Sequence, residues 1–91
     1  MRSSQKARRI SSAQIRAARA MLRWSALDLA RASKVGVATI RRVEVIEGEI
    51  LVTAANEAAI RQALEWAGIE FTEENGTGEG VRFRKPLRNR K

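Results

Sequence analysis

The sequence contains no cysteine, no histidine and no tyrosine, and its 91 residues include a single proline. Without cysteine, neither a disulfide nor a thiolate metal site can staple the chain. Without histidine, the commonest general base and the commonest metal ligand are both missing. Acid–base catalysis would fall to carboxylates, which are scattered without a visible pair. The expectation is a protein that is not an enzyme and uses no cofactor or metal. Aromatic residues make up only 4% of the chain, too few for the base-stacking platform of a single-stranded RNA module. Long apolar runs are missing as well. None approaches the ~20 residues of a membrane helix, and residues 10–22 are interrupted by Ser, Gln and Arg, so no secretory core follows the basic start. The glycines of residues 74–80, ENGTGEG, precede neither a phosphate-loop lysine nor a helix start, which argues against a nucleotide enzyme. A cytoplasmic, nucleoid-associated location is expected, with no membrane partner.

What is present is positive charge, unevenly placed. The net charge is +8. Residues 1–44 carry a balance of +9, residues 45–80 of −7 and residues 81–91 of +6. A uniformly sticky polycation would not be built this way. Cations concentrated in one half and at both ends match a phosphate-binding footprint, which supplies salt-sensitive affinity and not sequence choice. A chain of this length suits one small domain with little stability margin.

Residues 24–44, WSALDLARASKVGVATIRRVE, carry the most specific pattern. Ser25 is placed to cap one helix, with Trp24 before it, Asp28 at the third helical position and Leu29 at the fourth. Gly36 is placed to cap a second, between Val35 and Ile40. Such pairs of apolar residues flanking a cap are the staple that fixes a helix entry. Only residues 33–36 remain for the turn. Leu29, Val35, Ile40 and Val43 supply an apolar wedge, and Ala30 is small where the helices would cross. Arg41 and Arg42 project from the other side of the second helix. Two short helices joined by a tight turn form the unit that places its second helix in the DNA major groove.

The stretch LARASKVGVATIRRVE, and more weakly the WSALD before it, resembles the helix-turn-helix of the Cro and phage-repressor-like (XRE) family. The resemblance implies a mainly α fold: a four-helix repressor-like domain, here followed by a C-terminal β-hairpin. It also implies a homodimeric DNA-binding regulator whose recognition helix spans about residues 37–43. Within that helix Arg42 matches a base-reading position, and bidentate Arg to guanine is the commonest specific contact. Arg41 can read a base or hold a phosphate, and Thr39 can donate or accept. Val37 and Ala38 can only touch thymine methyls or sense shape. Ser25 and Ala26 open the first helix of the pair, whose free amides and dipole suit a phosphate. Ala26 stands where the family often has glutamine. Lys34 stands where it usually has glycine, so Lys34 must accept positive φ at a cost of about 1 kcal/mol. Lys34 and Arg23 are further phosphate candidates. Glu44 fits a glutamate that is usually structural in the family.

Elsewhere the chain divides into a disordered basic arm (1–10), the helical domain (11–68), the hairpin (69–84) and a basic tail (85–91). Arg2, Lys6, Arg8 and Arg9 of the arm are placed to track the DNA backbone. The first helix is expected from Ser12 to Leu22 or Arg23, with Ser11 and Gln14 as a capping box, Ile10 and Ile15 as staple, and Arg16 on a solvated face. Residues 45–52 read as a loop from which Ile46, Ile50 or Leu51 plugs the core. A last helix over 54–67 is capped by Thr53 and ended by Gly68, with Trp66 off its apolar stripe. Period-two alternation then puts Ile69, Phe71, Val81 and Phe83 against the protein and Glu70 opposite Arg82 or Arg84. An isolated hairpin is marginal, so it must pack on the helices or pair with a second chain. The functional expectation is a sequence-specific double-stranded DNA-binding regulator on a palindromic operator. The alternative is an antitoxin-type protein that combines DNA binding with binding of a partner protein.

Overall fold

Three hydroxyl side chains frame the helices. The computed structural model describes residues 9–45, 52–72 and 78–84. Ser11 caps α1 (Ser12–Leu22): its Oγ accepts from Gln14 N–H, and Gln14 Oε1 accepts from Ser11 N–H in return. Ser25 and Asp28 repeat that box at the start of α2 (Ala26–Ser33). Thr53 caps α4 (Ala54–Trp66) through Asn56 N–H. Each such cap stabilises its helix by about 1 kcal/mol, because it satisfies an N–H that has no partner within the helix. Between α2 and α4 lies α3 (Val37–Val45), whose first turn is closed by Ile40 N–H on the Gly36 carbonyl. It runs two residues beyond the expected Val43. The last helix ends at Trp66, with Ala67 as its cap and Gly68 at φ 110° turning the chain into the hairpin.

Among the described residues, two that are not glycine carry positive φ. Lys34 ends α2 at φ 66°, as its place in the turn requires. Arg23 ends α1 at φ 59°, which the sequence did not announce. There Trp24 N–H returns to the Arg19 carbonyl at 2.9 Å, and the chain passes straight into the Ser25 cap.

Strands β1 (Ile69–Thr72) and β2 (Gly80–Phe83) pair antiparallel, with Ile69 opposite Phe83 and Glu70 opposite Arg82. The architecture is therefore mainly helical, four helices with a two-stranded hairpin at the C-terminal end. α3 packs on α1 and α2, α4 packs on α2 and β1, and β2 meets α1. Ile15, Leu29, Ile40, Val43, Ile60, Leu64 and Ile69 are fully enclosed at the centre. Burying each aliphatic side chain contributes about 1.5–3 kcal/mol.

Several expectations change on contact with the packing. Arg9 and Ile10, assigned to the arm, belong to the packed domain: Ile10 is buried and Arg9 Nη1 donates to the Val52 carbonyl. Phe83, expected to face the protein, is 55% exposed. It lies opposite Ile69, which is fully enclosed, yet is itself left uncovered by the described residues. Arg16, expected in solvent, donates to the Glu44 carbonyl at 2.6 Å. The proposed core plugs Ile46, Ile50 and Leu51 lie outside the described residues, as do Arg2, Lys6, Arg8 and the tail. Gln14 has a further role. Besides closing the cap, its Nε2 donates to the carbonyls of Thr72 and Gly80, one on each strand of the hairpin. A glutamate would serve the cap equally well but has no donor for those two carbonyls. Among the described residues, no helix is long and apolar enough to cross a membrane.

Candidate nucleic-acid interface

α2 and α3 are joined by the three residues Lys34, Val35 and Gly36. Val35 is buried and Ser33 Oγ accepts from its N–H, which fixes the inside of the turn. Lys34 and Gly36 are exposed on the outside. On α3 the buried positions are Ile40, Val43 and Glu44, so the opposite face presents Ala38, Arg41, Arg42 and Val45 to solvent. Val37 and Thr39 are half-buried at its margins. Thr39 and Arg42 lie one turn apart, with Arg42 Nη2 reaching Thr39 Oγ1 at 3.5 Å, the outer limit of a hydrogen bond. Both line an open depression completed by Val52, Thr53 and Asn56 from the start of α4. Asn56 is a polar side chain beside the candidate reading face that the sequence reading did not single out.

The orientation of α3 is fixed by its buried end. Glu44 is only 8% exposed, and both its carboxylate oxygens accept from Arg19, from Nε and Nη2, at 2.7 Å each. Arg19 Nη1 donates to the Trp24 carbonyl at 2.8 Å. One guanidinium thus joins α1, the end of α3 and the entry to α2. The hydrogen bond to Glu44 holds Arg19 above its usual range against the desolvation that would lower it. Such a fork-to-fork pair fixes direction as well as distance.

At the start of α2, Ser25 is exposed and Ala26 half-buried. Helix geometry leaves the N–H groups of the first turn without intrahelical partners, apart from the one taken by the Ser25 cap. Bonds from Ser25 N–H and its hydroxyl, and then the charge of Arg31, hold the Asp28 carboxyl below its ordinary range. The stability this adds is complete above the unfolded carboxyl's pKa and is lost as pH falls through the folded one.

The cations among the described residues sort into two groups. Arg9, Arg16 and Arg84 are taken up by backbone carbonyls, Arg19, Arg61 and Arg82 by carboxylates. Arg23, Arg31, Lys34, Arg41 and Arg42 are exposed, and among the described residues none has an ion pair. All five lie between the end of α1 and the outer face of α3. Arg31, in the last turn of α2, belongs to this set although the sequence reading passed over it. Ser25, Ala26, Lys34, Val37, Ala38, Thr39, Arg41 and Arg42 thus lie on the α2–α3 unit, and Arg23 at the end of α1 immediately before it. Arg9 is held at the carbonyl of Val52, which lines the same depression as Thr39 and Arg42. No protein-family model matches this chain, and no curated protein does either.

Proposed function

We propose that this protein is a sequence-specific double-stranded DNA-binding transcriptional regulator, acting as a dimer on a palindromic operator with α3 in the major groove. The observation that carries the reading is the segregation of the described cations: Arg9, Arg16, Arg19, Arg61, Arg82 and Arg84 are engaged by carboxylates or backbone carbonyls, and those between Arg23 and Arg42 form no ion pair. Exposed, unpaired Arg and Lys on one helix pair form the electrostatic footprint of a phosphate backbone. The exposed face of α3 adds base-reading chemistry in Arg41 and Arg42, flanked by small or apolar Ala38 and Val37 that approach thymine methyls. One short helix reads only a few base pairs, so two copies on half-sites about one helical turn apart supply the specificity.

Replacing Lys34 tests the electrostatic part, because stability and binding should move in opposite directions. Lys34→Gly removes a side chain from a residue at φ 66° and should raise unfolding free energy by roughly 0.5–1 kcal/mol. It should also weaken binding to duplex DNA and make the slope of log affinity against log salt shallower by about 1. Thermal melts and anisotropy titrations over a salt series measure both. Binding that ignores salt, or a slope unchanged by the substitution, contradicts the assignment.

A further inference from the structure

One surface remains that the DNA-facing side does not use. Trp66 is 82% exposed in the last turn of α4, and Phe83 is 55% exposed at the end of β2. They lie at the same end of the molecule: Arg84 N–H donates to the carbonyl of Gly68, two residues beyond Trp66, at 2.7 Å. That bond also sets the phase of the ladder. If Arg84 and Gly68 form a hydrogen-bonded pair, Phe83 and Ile69 are a non-bonded pair, and the N–H and C=O of Phe83 point away from β1. Phe83 therefore offers an exposed ring and an outward strand edge together. Exposed aromatics beside an open edge are what soluble monomers usually avoid.

We infer that Trp66 and Phe83 form the contact surface for a second copy of this chain, packed about a twofold axis; the inference deepens the dimeric DNA-binding reading and rests on it in part. Charge favours this occupant over nucleic acid. The neighbouring cations are already engaged, Arg61 with Glu65, Arg82 with Glu70, and Arg84 with the carbonyls of Glu65 and Ile69. Arg82 in turn holds the Glu70 carboxyl below its ordinary range. With Arg61 and Arg82 each facing a carboxylate, two such surfaces can meet face to face, as an isologous interface requires, whereas the five exposed cations between Arg23 and Arg42 would repel their counterparts. Area agrees with a role at the centre of an interface. At ~150–250 Å² per aromatic side chain, the exposed parts of two Trp66–Phe83 pairs amount to roughly 600 Å². That is about half the smallest stable interface, with the surrounding charged residues as its rim.

Distance agrees as well. Asn56, near the N-terminal end of α4, lines the same depression as Arg42, and Trp66 is ten residues further along that helix. At 1.5 Å per residue the separation is ~15 Å. Reading helices set one DNA turn apart lie about 17 Å from their dyad. A dyad at Trp66 and Phe83 would thus lie at a similar distance from the residue of α4 that shares a depression with Arg42.

The test is sedimentation of the full chain beside Trp66→Ser and Phe83→Ser, with melting curves and binding to random-sequence duplex DNA at low salt. The wild type should be a dimer. Trp66→Ser should raise the dissociation constant by about 100-fold or more, since each dimer loses two central aromatics, while duplex binding by the monomer persists. Should Trp66→Ser alter the melt, Trp24→Phe leaves Trp66 as the reporting tryptophan, and its emission should shift to the blue as the protein is concentrated. A variant pair that still dimerises, a wild type that stays monomeric both free and on DNA, or Trp66 emission that stays red overturns the inference. Dimerisation lost in the variants of a wild type that ignores DNA would uphold this surface and count against the regulatory function.

Discussion

Glu44→Ala is expected to lower the unfolding free energy by about 2–4 kcal/mol. Breaking a fully buried ion pair by removing one partner costs about 3–5 kcal/mol, because the remaining charge is left without compensation. Arg19 is 23% exposed, so water can recover part of that loss, and the lower range follows. Alanine in the penultimate position of α3 adds no propensity penalty that could explain the effect otherwise. For a small domain whose total stability is ~5–15 kcal/mol, this is a large share. Arg19→Met combined with Glu44→Leu should lose less than Glu44→Ala alone, since both charges leave together. Urea titrations of the single and combined variants provide the comparison. A Glu44→Ala loss below about 1 kcal/mol would show that the pair does not secure α3.

Arg42→Ala should leave stability within about 0.5 kcal/mol of the wild type, because Arg42 is exposed and its bond to Thr39 is at the limit of hydrogen-bonding distance. Binding should change far more. Loss of a bidentate contact to a base would cost about 1–3 kcal/mol on the preferred site and relax the choice at one base position. On random duplex DNA the loss should be smaller. Equal losses on both would assign Arg42 to phosphate and leave Arg41 and Thr39 as the remaining readers. The contrast with Glu44 separates two jobs on one helix: one face reads, and the other is held by Arg19.

Local chemistry was legible in the sequence, and long-range chemistry was not. The caps at Ser11, Ser25 and Thr53 follow from three-residue spacings, and the structure has all three. Lys34 adopts the left-handed conformation that the resemblance, with its usual glycine at that position, implied. Alternation put Glu70 opposite Arg82 or Arg84, and the register pairs it with Arg82. The partners of Arg16 and Arg19 lie 28 and 25 residues away at Glu44, and no periodicity within α1 points to them. Gln14 likewise meets Gly80 across 66 residues. Phe83 shows the reverse error. Period two correctly puts it on the same face as Ile69, but burial depends on whether another element covers that position, and none of the described ones covers Phe83. On the candidate interface the sequence supplied the α2–α3 residues. The finding that the other described cations are engaged by carboxylates or carbonyls, with Arg31 left among those without an ion pair, needed the fold.

Selection of bound sites from random duplex DNA by the full chain tests the central claim most directly. The predicted product is a palindromic motif whose half-sites lie about one helical turn apart, with one position in each half-site losing its preference in Arg42→Ala. Recovery of sequences no more alike than the starting pool would contradict the claim that α3 reads DNA.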